Sequence, residues 1–137
     1  MSAITEVGSL IAPAIVPVAQ LFYGSRANLP PLSATTTDPV YVTLIETGGA
    51  PPEYTQDTPG AAYTLTGLQI TCRAKSYVSA REIARLIYNA LCLVRNQTIG
   101  STWYLAIYPR QEPFDMGLDD VGRVRVVFNA LAWKRPS

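Results

Sequence analysis

The sequence predicts an α+β sandwich of two layers, on three observations. A capped amphipathic helix stands mid-chain, period-two strands lie on both sides of it, and 48% hydrophobic against 15% charged content over 137 residues suits one core. A chain of this length buries roughly 65–70% of the surface its unfolded form exposes. One domain, 1–137, is expected: a mixed, mostly antiparallel sheet of four or five strands, with a long helix and a short N-terminal helix on one face.

Each element has its own signal. Ile4, Val7, Leu10 and Ile11 recur at helical spacing after Ser2, and the helix should stop before Pro13. Ile15 to Tyr23 is apolar and partly β-branched, a strand or extended arm closed by Gly24; Pro30, Pro31 and the run Ser33 to Thr37 read as a connection. Val40 to Thr47, rich in Val, Thr, Tyr and Ile, reads as a strand ended by Gly48 and Gly49. Residues 50–62 hold three Pro and Gly60 and read as a long irregular loop. From Tyr63 to Ala74, Leu68, Ile70, Cys72 and Ala74 fall on one face and Gln69, Thr71 and Arg73 on the other.

Ser79-Ala80-Arg81-Glu82 has the form of a capping box, and Ile83, Leu86, Ile87, Ala90, Leu91 and Val94 continue as one apolar stripe. Arg81, Arg85 and Asn89 fall on or near the opposite face. Thr102 to Tyr108 alternates as a strand ending at Pro109, and Arg123 to Trp133 forms the last strand. The polar, acidic stretch Arg110 to Gly122 returns the chain between them as a long hairpin. A helical crossover between parallel neighbours should be right-handed.

Composition removes several classes of function. There is no His, hence no Ser-His-Asp or Cys-His relay, no histidine metal ligand and no imidazole switch. Eleven basic residues against ten acidic argue against avid, non-specific phosphate binding, so nucleic acid is disfavoured and not excluded. Cys72 and Cys92 sit among apolar neighbours at no CxxC or zinc spacing and read as reduced, buried thiols of a protein that folds inside the cell. The apolar run from Leu10 to Phe22 follows Glu6 and no Lys or Arg and is broken by Pro13 and Pro17. It reads as no secretory leader, and it is shorter than the ~20 residues of a membrane helix. The Asn96-Gln97-Thr98 sequon has no meaning without secretion.

Chemistry-bearing motifs are weak. Gly117-x-x-x-x-Gly122 has phosphate-loop spacing, but Arg123-Val124 and a strand follow it. Glu112, Asp115, Asp119 and Asp120 lack calcium-loop spacing and read as a solvated acidic turn, with no cleft for paired-carboxylate catalysis. Neither a cofactor nor a metal is expected. Nine of the eleven basic residues are Arg, whose planar fork favours two-point pairing at interfaces. Arg73, Arg81, Arg85, Arg123 and Arg125 against Asp115, Asp119 and Asp120 suit a head-to-tail contact that closes into a ring. Tyr41, Tyr54, Tyr63 and Tyr77, near loop ends, are further contact candidates.

The order of motifs resembles a known family. Phe22-Tyr23-Gly24, Val42 to Ile45 leading into Glu46-Thr47-Gly48-Gly49-Ala50-Pro51, Leu68 to Ala74 ending in Cys72-Arg73-Ala74, the capped helix, and Gly117-Leu118-Asp119-Asp120-Val121-Gly122-Arg123 before a strand with Asn129 together resemble the tail terminator, or minor capsid, proteins of siphovirus-like tailed phages. The resemblance covers most of the chain after Tyr23, whereas the Pro-broken N-terminus departs from the longer regular helix expected there.

It implies a non-enzymatic virion protein, assembled in the host cytoplasm, that forms a ring, commonly hexameric, at the head-proximal end of the tail. The partners it implies are the major tail-tube protein, whose growth the ring stops, the head connector, and DNA passing through the lumen without sequence-specific binding. By this resemblance the Glu46 to Gly49 strand end, the following loop with Glu53, Tyr54 and Asp57, and the turn Asp119, Asp120 to Arg123 become contact positions. Two alternatives stand beside it: a head-completion or connector protein, and a nucleic-acid-binding module using Arg and Tyr on an exposed sheet face.

Overall fold

A computed structural model describes residues 3–15, 19–24, 39–49, 53–54, 61–119 and 121–135; at 53, 54, 61 and 62 the description is of backbone alone. The protein is a mixed α/β structure in which two helices, α1 (Ala3–Ile15) and α2 (Tyr77–Cys92), cover a curled sheet. The strands are β1 (Ala19–Tyr23), β2 (Val40–Thr47), β3 (Glu53–Tyr54), β4 (Ala61–Ala74), β5 (Arg95–Ile99), β6 (Thr102–Pro109), β7 (Phe114–Leu118) and β8 (Val124–Lys134).

The backbone of the fold is the antiparallel pair β4 and β8, in register from Thr64↔Lys134 to Ala74↔Val124. Six strands follow the order β1-β2-β4-β8-β6-β5, while β3 lies beside β4 and β7 beside β8. The parallel pair is β1 with β2, so α2 connects β4 to β5 and not two parallel neighbours. The expectation of four or five strands was too low. β3, β5 and β7 are short edge elements: β3 and β5 are mostly polar, and β7 alternates Phe114, Met116 and Leu118 but leaves them exposed.

The core sits between the helices and one face of the sheet. Val42, Leu44, Leu68, Ile70, Cys72, Val126, Phe128 and Ala130 meet Val7 and Ile11 of α1 and Ile83, Ile87 and Leu91 of α2 in one cluster. Burial of each large aliphatic is worth roughly 1.5–3 kcal/mol, which makes this face the main stabilising contribution.

Three local expectations are corrected. α1 does not stop before Pro13 but runs to Ile15, 13 residues against 16 in α2, so the contrast of a short and a long helix does not hold. Pro13 removes one ladder bond near the helix end, and burial of Ile15 to 1% exposure offsets it. The cap of α2 is Ser76, not Ser79: Ser76 has extended backbone and its Oγ accepts from the Ser79 N–H at 3.2 Å. The buried stripe is Ala80, Ile83, Ala84, Ile87 and Leu91, and Leu86 lies outside it, 46% exposed.

α1 is fastened by a residue of the wrong polarity for a core. Glu6 is fully buried, and its carboxylate accepts from the Tyr104 hydroxyl at 2.9 Å and from the Ser101 N–H at 3.1 Å. The same carboxylate packs on Gly100, which has φ +63 in the β5–β6 turn, so a side chain there would meet both strain and Glu6. Burial first, then the Glu6 hydrogen bond and charge and the charge of Glu46, push the Tyr104 phenol well above its ordinary range.

Candidate functional site

The face of the sheet away from the helices is organised by arginine. Cross-strand register puts Tyr41, Arg73 and Arg125 in one row over β2, β4 and β8, with Thr43, Thr71 and Val127 in the next. Arg73 donates from Nη1 to Thr43 Oγ1 at 3.1 Å, and its Nε lies 3.5 Å from Asp119 Oδ2. Asp119 Oδ1 in turn accepts from the backbone N–H of Val121 at 3.1 Å and of Arg123 at 2.8 Å, closing a tight turn. Gly122 supplies φ +94 in that turn, and Gly117 φ +81 after Asp115, whose Oδ1 accepts from the Gly117 N–H at 2.7 Å. The two glycines and the aspartates therefore build turns.

Arg123 is buried to 1% exposure, with its guanidinium 4.7 Å from the centre of the Tyr41 ring. Tyr41 packs against Phe22 of β1 at 5.8 Å, which links the turn to the far edge of the sheet. A charge held in this way is expensive to remove, because its partners are built around it. Arg73, Asp119 and Arg123 thus act inside the subunit, and they bring β2, β4, the 119–123 turn and β8 together.

Other predicted residues lie on the surface. Arg81 donates from Nη1 to the Pro113 carbonyl at 2.8 Å, and Arg85 lies 3.5 Å from Glu112 and 5.0 Å over the Tyr88 ring. Arg125 donates from Nη2 to the Met116 carbonyl at 3.1 Å. These three contacts tie α2 and β8 to the segment carrying β7. Glu46 is exposed at the end of β2. Glu53 and Tyr54 fall on β3, their side chains outside the described residues, as are Asp57 and Asp120 altogether. Of the named tyrosines, Tyr41 is buried, Tyr63 half-buried and Tyr77 42% exposed.

Two features were not read from the sequence. The outer face of α2 exposes Tyr77, Val78 and Leu86 beside Arg81 and Arg85, and β7 exposes Phe114, Met116 and Leu118. Contiguous exposed apolar surface is over-represented at contact sites. At the other end of the far face, Tyr63 lies 6.4 Å from Trp103 and 6.5 Å from Trp133, and Trp133 meets Tyr108 edge-on at 6.0 Å. Arg95 sits over Tyr108 at 5.2 Å and Arg135 over Trp103 at 4.4 Å. The available signal was aromatic alternation in β6 and β8 flanked by cations.

Among the described residues no three His, Cys, Asp or Glu side chains converge as a metal set. Cys72 is fully buried, and burial pushes its thiol up to about 12 against the opposing charge of Arg73. A family model for the bacteriophage tail terminator protein matches residues 31–132. No curated protein matches the chain.

Proposed function

Since the chain belongs to the bacteriophage tail terminator family, a structural component of the phage tail, we propose that it works without catalysis, as a ring that caps the tail tube. The ring, expected to be hexameric, ends tube polymerisation at the head-proximal end and forms the joint to the head connector, with DNA passing through its lumen. Assembly takes place in the host cytoplasm.

The observation that carries this reading is the family match, joined to the apolar surface left on α2 and β7. A subunit that exposes Tyr77, Val78, Leu86, Phe114, Met116 and Leu118 gains by covering them, and a ring covers them by a head-to-tail contact between different faces. Glu46, Glu53, Tyr54, Asp57, Arg81, Arg85, Asp120 and Arg125 are proposed as its polar contacts, to one another or to the tube.

Light scattering across a concentration series, alone and with tail-tube protein, tests the proposal. A closed ring mass, alone or only with the tube, is the expected result. A monomer that ignores the tube but binds portal complexes would replace the terminator role with that of a head-completion protein.

A further inference from the structure

The charges of this chain are segregated, although they balance. Residues 95–111 and 121–137 contain Arg95, Arg110, Arg123, Arg125, Lys134 and Arg135 and no Asp or Glu. These stretches include three neighbouring strands, β5, β6 and β8. Arg123 and Arg125 act at the 119–123 end, inside the subunit and against Met116. The opposite end, around Trp103, Tyr108 and Trp133, holds cations without a described anion on the same strands.

We propose that the strip formed by Arg95 on Tyr108 and Arg135 on Trp103 binds the phosphate backbone of duplex DNA, without reading its sequence. The identity of the polyanion rests on the ring reading above, in which duplex threads the lumen; the strip itself rests on its own geometry.

That geometry favours phosphate over base. Both arginines are exposed, and each lies on a ring face, Arg95 at 5.2 Å and Arg135 at 4.4 Å. Contact with the ring restrains each guanidinium in the free protein, and the donors not already bonded, for Arg95 those other than the Nη1 donor to Val94, can pair with phosphate oxygens. Less side-chain freedom is then lost on binding. Arg95 is further held by its Nη1 bond to the Val94 carbonyl at 2.7 Å, and Arg135 by its backbone N–H bond to the Trp103 carbonyl at 3.0 Å. Each arginine lies over one face of its ring, and Trp133 is half-buried between Tyr63 and Tyr108, which leaves less aromatic surface for unpaired bases. Single strands therefore gain little here that a duplex does not.

The test is fluorescence anisotropy of a labelled short duplex of mixed sequence between about 50 and 200 mM salt. It compares wild type with the double variant Arg95→Gln/Arg135→Gln, with native mass measured on the same samples. Wild type should bind with affinity that falls linearly on a log-log salt plot. The double variant should lose about tenfold or more at the lowest salt, and the slope should shrink by up to about 2 for each protomer in contact. Arg95→Lys/Arg135→Lys should keep part of the affinity, since charge survives and stacked geometry does not.

Unchanged affinity and slope in the double variant would overturn the inference, as would a wild type that ignores duplex at the lowest salt. Loss of tail-tube or connector binding with duplex binding intact would assign the strip to an acidic protein surface and overturn it equally. A normal ring with unaltered DNA binding sinks the strip alone. Arginine-dependent duplex binding by a protein that never forms a ring supports the strip and sinks the ring.

Discussion

Along β4, Leu68, Ile70, Cys72 and Ala74 enter the helix-covered core, while Gln69, Thr71 and Arg73, one residue out of step, face the other way. The first set is held by apolar burial, which has no preferred direction for any one contact. The second set is held by directed bonds: Arg73 to Thr43 and Asp119, Arg123 over Tyr41, Asp119 to its own turn. Among the described residues Glu6 is the buried acid on the helix side of the sheet, and its carboxylate accepts from Tyr104 and Ser101. The difference teaches which face sets the energy of folding and which is left to set position and contacts. A core face stabilises the subunit, whereas an arginine-rich face fixes where its turns and edges stand.

The largest effect that would break this comparison lies in the core. Phe128, fully buried and edge-on to Tyr88 at 5.7 Å, should cost about 3–5 kcal/mol on truncation to Ala, read from the midpoint of urea unfolding. A loss near that of a far-face surface substitution would mean that the two faces share the load.

Next in size is the polar intrusion at Glu6. Tyr104→Phe should cost about 1.5–3 kcal/mol, the range for a hydrogen bond to a charged group, and Glu6→Gln at least as much, because its one amide oxygen can serve only one of the two donors, the Tyr104 hydroxyl and the Ser101 N–H. The pH dependence sharpens the assignment. The Tyr104 phenol is raised in the folded protein, chiefly by burial and then by Glu6, so its stabilising contribution is complete below its ordinary value of 10. Above that pH the unfolded chain ionises first and stability falls. Tyr104→Phe should lessen this alkaline decline in unfolding measured from neutral to high pH, leaving the part due to the raised Cys72 thiol; an unchanged decline would rule Tyr104 out as a source.

The legible parts of the fold are those where one face is buried. β2 was bounded correctly from Val40 to Thr47, and the alternation of β4 was divided between the right faces because apolar and polar residues differ sharply there. β5 and β7 were not legible: Arg95 to Thr98 buries little and carries no apolar pattern, while the alternation Phe114, Met116, Leu118 sits inside a polar, acidic stretch with Gly117 and spans only five residues. Ser79 and Glu82 mimicked a cap, yet Ser76 is the residue whose extended backbone starts the helix. Glu6 was hidden because a lone acid beside Val7 and Ile11 has the same appearance whether it faces solvent or a buried hydroxyl. At the candidate site, Arg73 and Asp119 were both singled out, but their pairing depends on the β7–β8 turn, which brings residues 46 positions apart in sequence together.

That turn supplies the smallest and most discriminating prediction. Asp119 has two functions that substitution separates: an Oδ1 that accepts from Val121 and Arg123, and a charge 3.5 Å from Arg73. Asp119→Asn keeps the acceptor and removes the charge; Asp119→Ala removes both. With the Arg73 side chain 23% exposed and the Asp119 side chain 8% exposed, solvent screens the ion pair in part, and its loss should cost less than about 1 kcal/mol. Loss of the turn bonds should bring Asp119→Ala to about 1–2 kcal/mol. Amide exchange at Arg123 separates the two: its N–H should stay protected in the Asn variant and exchange freely in the Ala variant. Equal exposure in both variants would assign the turn to charge, and the far face would then be held by electrostatics and not by directed bonds.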